Sequence, residues 1–305
     1  MKSLLDLLGE KRDWRIALTD SGLGGLSICA GLEARLRLAG GPRKIDLVYV
    51  NAWPEAGRGY NDLPDTAARA AVLDRALAAV AGYRPDLVVI ACNTLSVLYG
   101  STAFAGSPAV PVAGIIDRGV DLFAGALRDN AAATLVLFGT RTTIESGEHA
   151  RRLVLRGFDA RRIRAAACHG LAGVIDKDPG SPALPGLVDE CVSRALAGTG
   201  LEAPVFAGLV CTHYAYVYDL FRRALRRITG ADADVLDPGE SLIDALTAGL
   251  GAEGTDGPGP PPSVEVVSKV DLSEAQRRAV ARRLRPISPR TARALMEYAH
   301  VPELF

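Results

Sequence analysis

The chain has 305 residues, of which 49% are hydrophobic, so it can bury a sizeable core and favours two lobes over one compact unit. Lysine plus arginine and aspartate plus glutamate both number 35, so no net charge favours nucleic acid or an anionic membrane surface, and nucleic-acid binding is not expected. The five cysteines are widely spaced without a CxxC pair, which argues against a disulfide framework or a zinc ribbon and indicates reduced thiols.

Two further features of the sequence bear on its location. Residues 1–14 are charged and contain no apolar signal-peptide segment. No segment reaches the roughly 18 uncharged apolar residues that a membrane span needs. A soluble, cytoplasmic protein that does not contact a membrane is therefore expected.

Short apolar runs alternate along the chain with longer amphipathic stretches. Helices are predicted at 26–38, 66–83, 117–128 with Asp117 as the N-cap, 143–155, 184–197, 217–228 and 241–250, with a loop at 176–182. Strands are predicted at 15–19, 45–50, 87–91, 111–115, 134–138, 163–167, 205–210, 234–236 and, after a Gly/Pro linker at 251–262, at 264–268. Strands separated by helices imply right-handed βαβ units, so the predicted fold class is α/β with mostly parallel sheets flanked by helices.

A weak internal repeat relates two parts of the chain. Asp20 and Thr140 are 120 residues apart, and Cys92 and Cys211 are 119 residues apart, so each part has a strand ending in a polar turn and a later strand ending in cysteine. Coincidence remains an alternative, because similar units recur in any α/β protein. If the repeat is real, two pseudosymmetric lobes, 1–115 plus about 220–305 and 116–219, face each other across an active-site cleft.

The two strand-end cysteines are followed by polar residues that a cysteine buried for packing does not need. Two thiols on opposite sides of one pocket suit a reaction in which one removes a proton from a carbon and the other delivers a proton to the opposite face. Each thiol needs an activator, because a free thiol is mostly protonated at neutral pH, and Asp20 and His213 are candidates. A Cys92–His213 nucleophile is the competing chemistry. For the remaining cysteines a packing role is favoured: Cys29, Cys168 and Cys191.

Three stretches resemble the signature motifs of the glutamate racemases, within the aspartate/glutamate racemase superfamily: 19–26 (TDSGLGGL), 91–94 (ACNT) and 210–214 (VCTHY). They occur in the order seen in that family, and the similarity covers about residues 14–270. The resemblance implies a cofactor-independent, two-base racemase or epimerase of glutamate or a related small amino acid. It also implies two pseudosymmetric lobes, no metal, and a homodimer.

The resemblance assigns roles by position. Cys92 and Cys211 would be the proton donor and acceptor pair, and His213 would tune Cys211. Asp20 and Ser21 would contact the substrate ammonium and tune Cys92. The implied carboxylate-binding residues are Asn93, Thr94 and Thr212, and the implied polar turn of the second lobe contains Thr140, Thr143 and Ser146. Asp176 stands where the family usually has glutamate.

The stretch 51–61 departs from the family pattern. Tyr60 matches a family tyrosine, but Asn61 stands where glycine is usual, and Arg58 adds a donor that is not expected in the family pocket. Asparagine tolerates unusual backbone angles, which favours a retained turn. His169 also replaces a proline after Cys168. These departures from the family pattern are expected at the rim of the substrate pocket. They predict a small carboxylate substrate other than, or larger than, glutamate, held partly by Arg58.

Two other functions remain open from the sequence. One is an isomerase of a small dicarboxylate that uses the same cysteine pair, and the other is a non-catalytic ligand-binding or sensor protein on a racemase scaffold. A basic cluster near the C-terminal end favours a solvated helix face over contact with a partner or nucleic acid. It consists of Arg277, Arg278, Arg282, Arg283, Arg285, Arg290 and Arg293.

Overall fold

The computed structural model describes residues 13–39, 44–197, 204–230, 233–250 and 260–305. The expectations for residues 1–12 and for the 251–259 part of the Gly/Pro linker lie outside the described residues. The described strands are β1 (Asp13–Asp20), β2 (Lys44–Asn51), β3 (Leu87–Ile90), β4 (Val112–Gly114), β5 (Thr134–Gly139), β6 (Ile163–Ala167), β7 (Val205–Val210), β8 (Asp234–Leu236), β9 (Ser263–Ser268) and β10 (Ala299–His300).

The described helices follow the strands and mostly match the predicted positions. They are α1 (Leu26–Ala39), α2 (Thr66–Gly82), α3 (Asn93–Tyr99), α4 (Ala103–Gly106), α5 (Ile115–Asp129), α6 (Arg141–Glu145), α7 (Glu148–Leu155), α8 (Leu171–Lys177), α9 (Leu184–Leu196), α10 (Tyr218–Thr229), α11 (Pro238–Leu250), α12 (Glu274–Leu284) and α13 (Pro289–Met296). Among the described residues, none of these helices has both the length and the apolar character needed to cross a membrane.

Two parallel sheets form the framework. The first has the strand order β10-β9-β2-β1-β3-β4, and the second has the order β6-β5-β7-β8. All neighbouring strands in both sheets run parallel. The order β2-β1-β3-β4 corresponds to β6-β5-β7-β8, so β1 matches β5 and the strand before Cys92 matches the strand before Cys211. The α/β class is confirmed, and the strand order supports the internal repeat.

Both faces of the first sheet are buried, which explains its continuous apolar runs. In β1, Ile16 and Leu18 pack into one core, while Ala17 packs with Val48 and Val88 into the core on the opposite face. Strands of a parallel sheet that is covered by helices on both sides need apolar residues at successive positions, not only at alternate ones. The run before Cys92 therefore reads as apolar throughout.

The boundary between the lobes lies later in the chain than predicted. The sequence assigned residues from about 220 onwards to the first lobe, but β8 pairs with β7, and α10 packs against α9. Val235 of β8 is buried in the core of the second sheet. Residues up to Leu236 therefore belong to the second lobe. The following helix, α11, packs against both α1 and α5.

Three local predictions were wrong. The stretch 143–155 forms two helices, not one, because Gly147 adopts a left-handed φ of 62° between them. Asp117 lies in the first turn of α5, whose N-cap is Gly114. The predicted loop 176–182 begins too early, since Asp176 lies within α8.

A disulfide joins Cys168 and Cys191, whose Cα atoms are 5.6 Å apart. The prediction of reduced thiols is therefore wrong for this pair, while Cys29, Cys92 and Cys211 are free. Cys168 follows β6, and Cys191 lies on α9, which packs against that strand. Tertiary packing thus brings together two cysteines whose sequence spacing carries no signal.

The C-terminal arginines include several that bond within the protein. Arg277 donates to the carbonyl oxygens of Leu272 and Met296. Arg283 donates to the carbonyl oxygen of Pro179 at 3.0 Å. Arg290 lies 3.4 Å from the buried carboxylate of Glu33. These contacts attach the C-terminal helices to the rest of the molecule, so part of the basic cluster packs against the protein and does not form the wholly solvated helix face that was predicted.

Candidate active site

The three motif stretches meet at the carboxyl ends of parallel strands. β1 ends at Asp20, Cys92 lies two residues beyond β3, and Cys211 directly follows β7, which is where ligands bind in open α/β sheets. A cavity of about 290 Å³ lies in the cleft between the lobes. The predicted site residues that line it are Ser21, Tyr60, Asn61, Cys92, Asn93, Thr94, Thr140, Cys211, Thr212 and His213.

Arg58 does not reach this cavity. It is exposed and lines a separate surface cavity together with Arg75 and Lys269. A tight turn explains the difference, because the Arg58 N–H donates to the carbonyl of Glu55 at 3.0 Å and Gly57 has a left-handed φ of 77°. The prediction that Arg58 holds the substrate is therefore wrong.

Cys92 is a buried thiol next to the polar turn after β1. Its Sγ lies 3.1 Å from the Oγ of Ser21. Burial raises the pKa of Cys92 well above its usual value, and the negative charge of Asp20 raises it further, while the hydrogen bond with Ser21 opposes both. In the absence of a ligand, Cys92 is therefore held as the neutral thiol.

Cys211 is supported by a different pair of groups. Its Sγ is 3.8 Å from Nδ1 of His213, and Nε2 of His213 is 2.8 Å from Oδ1 of Asp176. Burial alone would lower the pKa of His213, but the hydrogen bonds to Asp176 and Cys211 and their negative charges outweigh it and hold the pKa well above its usual value. A protonated His213 stabilises negative charge on the neighbouring sulfur.

Three groups form hydrogen bonds with the carboxylate of Asp176. Besides His213, its Oδ1 accepts from the backbone N–H of Leu23 at 2.8 Å, and its Oδ2 accepts from Nε2 of Gln276 at 2.7 Å. Leu23 belongs to the first motif and Gln276 to α12. The sequence reasoning missed Gln276, because a single glutamine 100 positions away from its partner gives no local signal.

Asp20 lies buried behind the cavity and connects the two lobes. Its Oδ2 accepts from the hydroxyl of Thr212 at 2.8 Å, while its Oδ1 has no hydrogen-bond partner among the described residues. Burial raises the pKa of Asp20 to about 6, although the charge of His213 and the bond from Thr212 act in the opposite direction. A cationic ligand group would satisfy this carboxylate.

Donor groups collect at the end of the cavity near Asn93. The hydroxyl of Thr94 lies 2.9 Å from that of Thr140 and 3.1 Å from that of Thr143. The amide nitrogen of Asn93 and the hydroxyl of Tyr60 are buried and have no hydrogen-bond partner in the described part of the chain. Buried polar atoms without partners are rare in proteins, and here they fit a ligand with acceptor atoms such as a carboxylate.

The polar turn of the second lobe packs behind the end of the cavity that lies near Asn93. Thr140 caps α6, and Ser146 donates from its hydroxyl to the carbonyl of Thr143 at 2.7 Å. Thr143 is buried behind the cavity and acts through Thr94 and Thr140. Thr140 therefore faces the ligand space, while Thr143 and Ser146 order the turn.

Asn61 connects the unusual loop of the first lobe to the second lobe. Its Oδ1 accepts from the backbone N–H of Thr142 at 3.0 Å and from the Thr142 hydroxyl at 2.8 Å. The guanidinium of Arg141 bonds to the carbonyl of Asn61. Asn61 lies in a 3-10 turn and does not have a positive φ, so its contribution is the contact between lobes and not an unusual backbone angle.

His169 also lines the cavity.

The first motif needs glycine where it passes the second lobe. A Cβ on Gly24 would lie 2.5 Å from the hydroxyl of Thr212 and 2.7 Å from the backbone nitrogen of His213. The close approach of β1's turn to the Cys211 motif thus depends on the absence of a side chain.

Gly24→Ala is expected to lower the free energy of unfolding by about 1–3 kcal/mol, since the new methyl group forces apart two buried segments. Gly125→Ala is the matched control, because a Cβ there meets no atom within 4 Å. The control lies inside α5 and is expected to gain about 0.5–1 kcal/mol. Urea unfolding of both variants measures the difference, and equal effects would contradict the close approach.

The chain thus has two parallel α/β lobes, and one strand-end thiol from each of them lines the cavity between the lobes. The chain belongs to the Asp/Glu/Hydantoin racemase family, whose model matches residues 21–246. A glutamate racemase of Campylobacter jejuni is 28% identical over 236 residues, which cover 76% of this chain and 84% of the relative. A glutamate racemase of Aquifex pyrophilus is 27% identical over 238 residues, which cover 76% and 82%. The protein is an amino-acid racemase, and the resemblance carried by the three motifs is confirmed.

Solved structures agree with this fold. The structure of Francisella tularensis glutamate racemase in complex with D-glutamate has a TM-score of 0.69 and 18% identity, covering 96% of this chain and 99% of that chain. The structure of the Campylobacter jejuni glutamate racemase has a TM-score of 0.66 and 22% identity, covering 87% and 96%. At these identities the similarity establishes the two-lobed architecture.

Proposed function

We propose that the protein racemises glutamate or a related small amino acid by passing a proton between Cα and the two thiols of Cys92 and Cys211. One observation carries this proposal. These two thiols are free and buried at the same cavity. Each follows a strand of a different sheet, and each has its own polar partners. A protein that only bound the ligand would not need two separately supported thiols.

The two thiols have different neighbours. Cys92 is held as a neutral thiol, whereas the sulfur of Cys211 lies 3.8 Å from Nδ1 of a protonated His213, which stabilises negative charge developing there. Cys211 removes the Cα proton of one enantiomer, and Cys92 delivers its own proton to the opposite face. The charge then lies on Cys92 and the abstracted proton on Cys211, which is the state from which the other enantiomer reacts. The two thiols therefore complete the cycle without a cofactor.

The charged groups of an amino acid match the polar groups of the cavity. The ammonium is received by Ser21, which lines the cavity, and is attracted by the charge of Asp20, which lies behind the cavity wall with an Oδ1 that has no partner in the described residues. The carboxylate is received by Asn93, Thr94 and Tyr60. Hydrogen bonds to the carboxylate strengthen as charge moves onto it from Cα, which stabilises the transition state for proton removal.

The substrate and the assembly are proposed from the relatives and the motifs. Glutamate follows from the activity of the relatives, and a related amino acid from the changed rim at Asn61 and His169. A homodimer and a cytoplasmic location follow from the motif resemblance and the composition. The alternative function, isomerisation of a small dicarboxylate, would use the same two thiols in a different way on a different carbon skeleton.

Purified protein in D₂O is expected to replace the Cα proton of both L- and D-glutamate with deuterium, because each thiol exchanges its proton with solvent between turnovers. NMR follows the loss of the α-proton signal, with other amino acids, hydroxy acids and small dicarboxylates tested in parallel. Cis–trans conversion of a dicarboxylate would favour the alternative isomerase. No exchange with any compound, with ligand-induced thermal stabilisation that persists after Cys92→Ala, would indicate a binding protein instead.

A further inference from the structure

A buried histidine that this scheme does not use lies next to the donor end of the cavity. His149 on α7 is 2% exposed, and its Nε2 is 3.1 Å from Oδ1 of Asn93. Asn93 is 1% exposed and lines the cavity. The contact joins a helix of the second lobe to α3, which follows the Cys92 strand.

The His149 ring is neutral at physiological pH. Burial and, to a smaller extent, the charge of Arg152 lower the pKa of His149 to about 4, and Glu148 only partly offsets these effects. A neutral imidazole carries one N–H. Nε2 faces the oxygen of the Asn93 amide, and this arrangement forms a hydrogen bond only in the tautomer whose proton is on Nε2.

This hydrogen bond decides which end of the Asn93 amide remains for a ligand. With Oδ1 occupied by His149, Nδ2 is buried without a partner among the described residues. The reversed amide would place its nitrogen against the ring and offer an oxygen to the ligand. An exposed oxygen would repel a carboxylate, whereas an exposed N–H binds one.

We propose that His149 is a positioning residue that holds the amide of Asn93 with its nitrogen available to the ligand, and so makes this end of the cavity selective for a carboxylate. The identity of the ligand rests on the proposed racemase function. The orientation of the amide is a property of the free protein and is tested without any ligand.

The first experiment is nitrogen-detected NMR of the imidazole groups in the free protein at pH 7. His149 is expected to show a protonated Nε2 and an unprotonated Nδ1, and His149→Gln assigns the signals by their disappearance. A proton on Nδ1 instead would make His149 an acceptor, reverse the amide of Asn93 and overturn the proposal.

The second experiment measures D-glutamate binding by calorimetry in a Cys92→Ser/Cys211→Ser background, where turnover does not complicate the Kd. His149→Phe is expected to raise the Kd about tenfold, since a hydrogen bond to a charged group contributes roughly that factor. Phenylalanine keeps a ring at this position next to Phe123, whose ring centroid lies 6.4 Å from that of His149. His149→Gln keeps a donor near the Nε2 position and is expected to stay within about twofold.

A double-mutant comparison separates positioning from packing. In an Asn93→Ala background, His149→Phe is expected to leave the Kd unchanged, because the amide it orients is gone. An equal loss in both backgrounds, or a loss that His149→Gln does not rescue, would overturn the proposal. If D-glutamate does not bind the protein with His149 and Asn93 intact, the proposed substrate is wrong, and the tautomer measurement still decides the role of His149.

Discussion

Cys92→Ser and Cys211→Ser are each expected to lower the rate of racemisation by about 10²–10⁴-fold, the usual contribution of a positioned acid or base. A serine hydroxyl is a much weaker acid than a thiol, so it neither forms the anion that removes the Cα proton nor readily donates one. Circular dichroism of each glutamate enantiomer over time measures the rate. Both variants keep the size and shape of the original side chain closely enough to fold.

Proton exchange distinguishes the two-base scheme from a general loss of activity. In Cys92→Ser, Cys211 still removes and returns a proton on its own face, so deuterium enters one enantiomer without inversion. Cys211→Ser is expected to restrict exchange to the other enantiomer. Exchange of both enantiomers by either single variant would contradict the assignment of one thiol to each face.

Cys29→Ser is the matched control for these substitutions. Cys29 is also free and fully buried, but it lies on α1 and does not line the cavity. Any effect of burying a hydroxyl in place of a thiol is therefore present in this variant too. Its racemisation rate is expected to match that of the unmodified protein.

Asp20→Asn is expected to abolish most activity while stabilising the folded protein at neutral pH. Burial raises the pKa of Asp20 from 3.8 to about 6, so the folded state binds this proton more tightly than the unfolded state does. At pH 7 and above the buried carboxylate therefore destabilises the fold by up to about 3 kcal/mol. Asparagine keeps an oxygen for the Thr212 hydroxyl but has no charge to receive a substrate ammonium.

The sign of the pH dependence follows from the raised pKa of Asp20. The stability contributed by its neutral form is fully present below pH 3.8 and is lost as the pH rises through about 6. The gain from Asp20→Asn is therefore greatest above pH 7 and shrinks as the pH falls towards 4. Urea unfolding at pH 8 and pH 5 measures it, and a gain that is independent of pH would contradict the buried charge as its cause.

Asp237→Asn separates the stability effect from catalysis. Burial also raises the pKa of Asp237 to about 6, but this residue lies before α11, outside the cavity, and is partly reached by solvent. Its stabilisation is expected to have the same pH dependence with a smaller amplitude, because solvent screens the charge. Racemisation is expected to remain unchanged in this variant.

Much of the fold was predictable from local patterns. The apolar runs ending at Ile90 and Val210 predicted strands covered on both faces, and the structure has them inside parallel sheets. Helix boundaries were predicted less accurately where a single glycine interrupts a helix. Gly147, for example, divides one predicted helix into two. The short β8 was predicted as a strand but assigned to the wrong lobe, because three residues do not specify which sheet they join.

The same contrast between correct and incorrect predictions applies to the residues of the candidate active site. The motifs around Asp20, Cys92 and Cys211 predicted residues that the structure brings to one cleft, whereas Arg58 was predicted there wrongly. A guanidinium in a loop can point to either side, and the tight turn at Gly57 decides which side it faces.

The sequence by itself determined three things: the class of fold, the presence of two cysteines that each follow a strand, and the family. These depend on the hydrophobic period and on short contiguous motifs. Only the tertiary structure decided which distant groups hold the residues around the thiols in place. Asp176 reaches His213 from α8, Gln276 reaches Asp176 from α12, and His149 orients Asn93 from the opposite lobe. These contacts join residues 37 to 100 positions apart. A hydrogen bond forms only when donor and acceptor are about 3 Å apart, and that distance depends on how the helices pack, which no local pattern in the chain encodes.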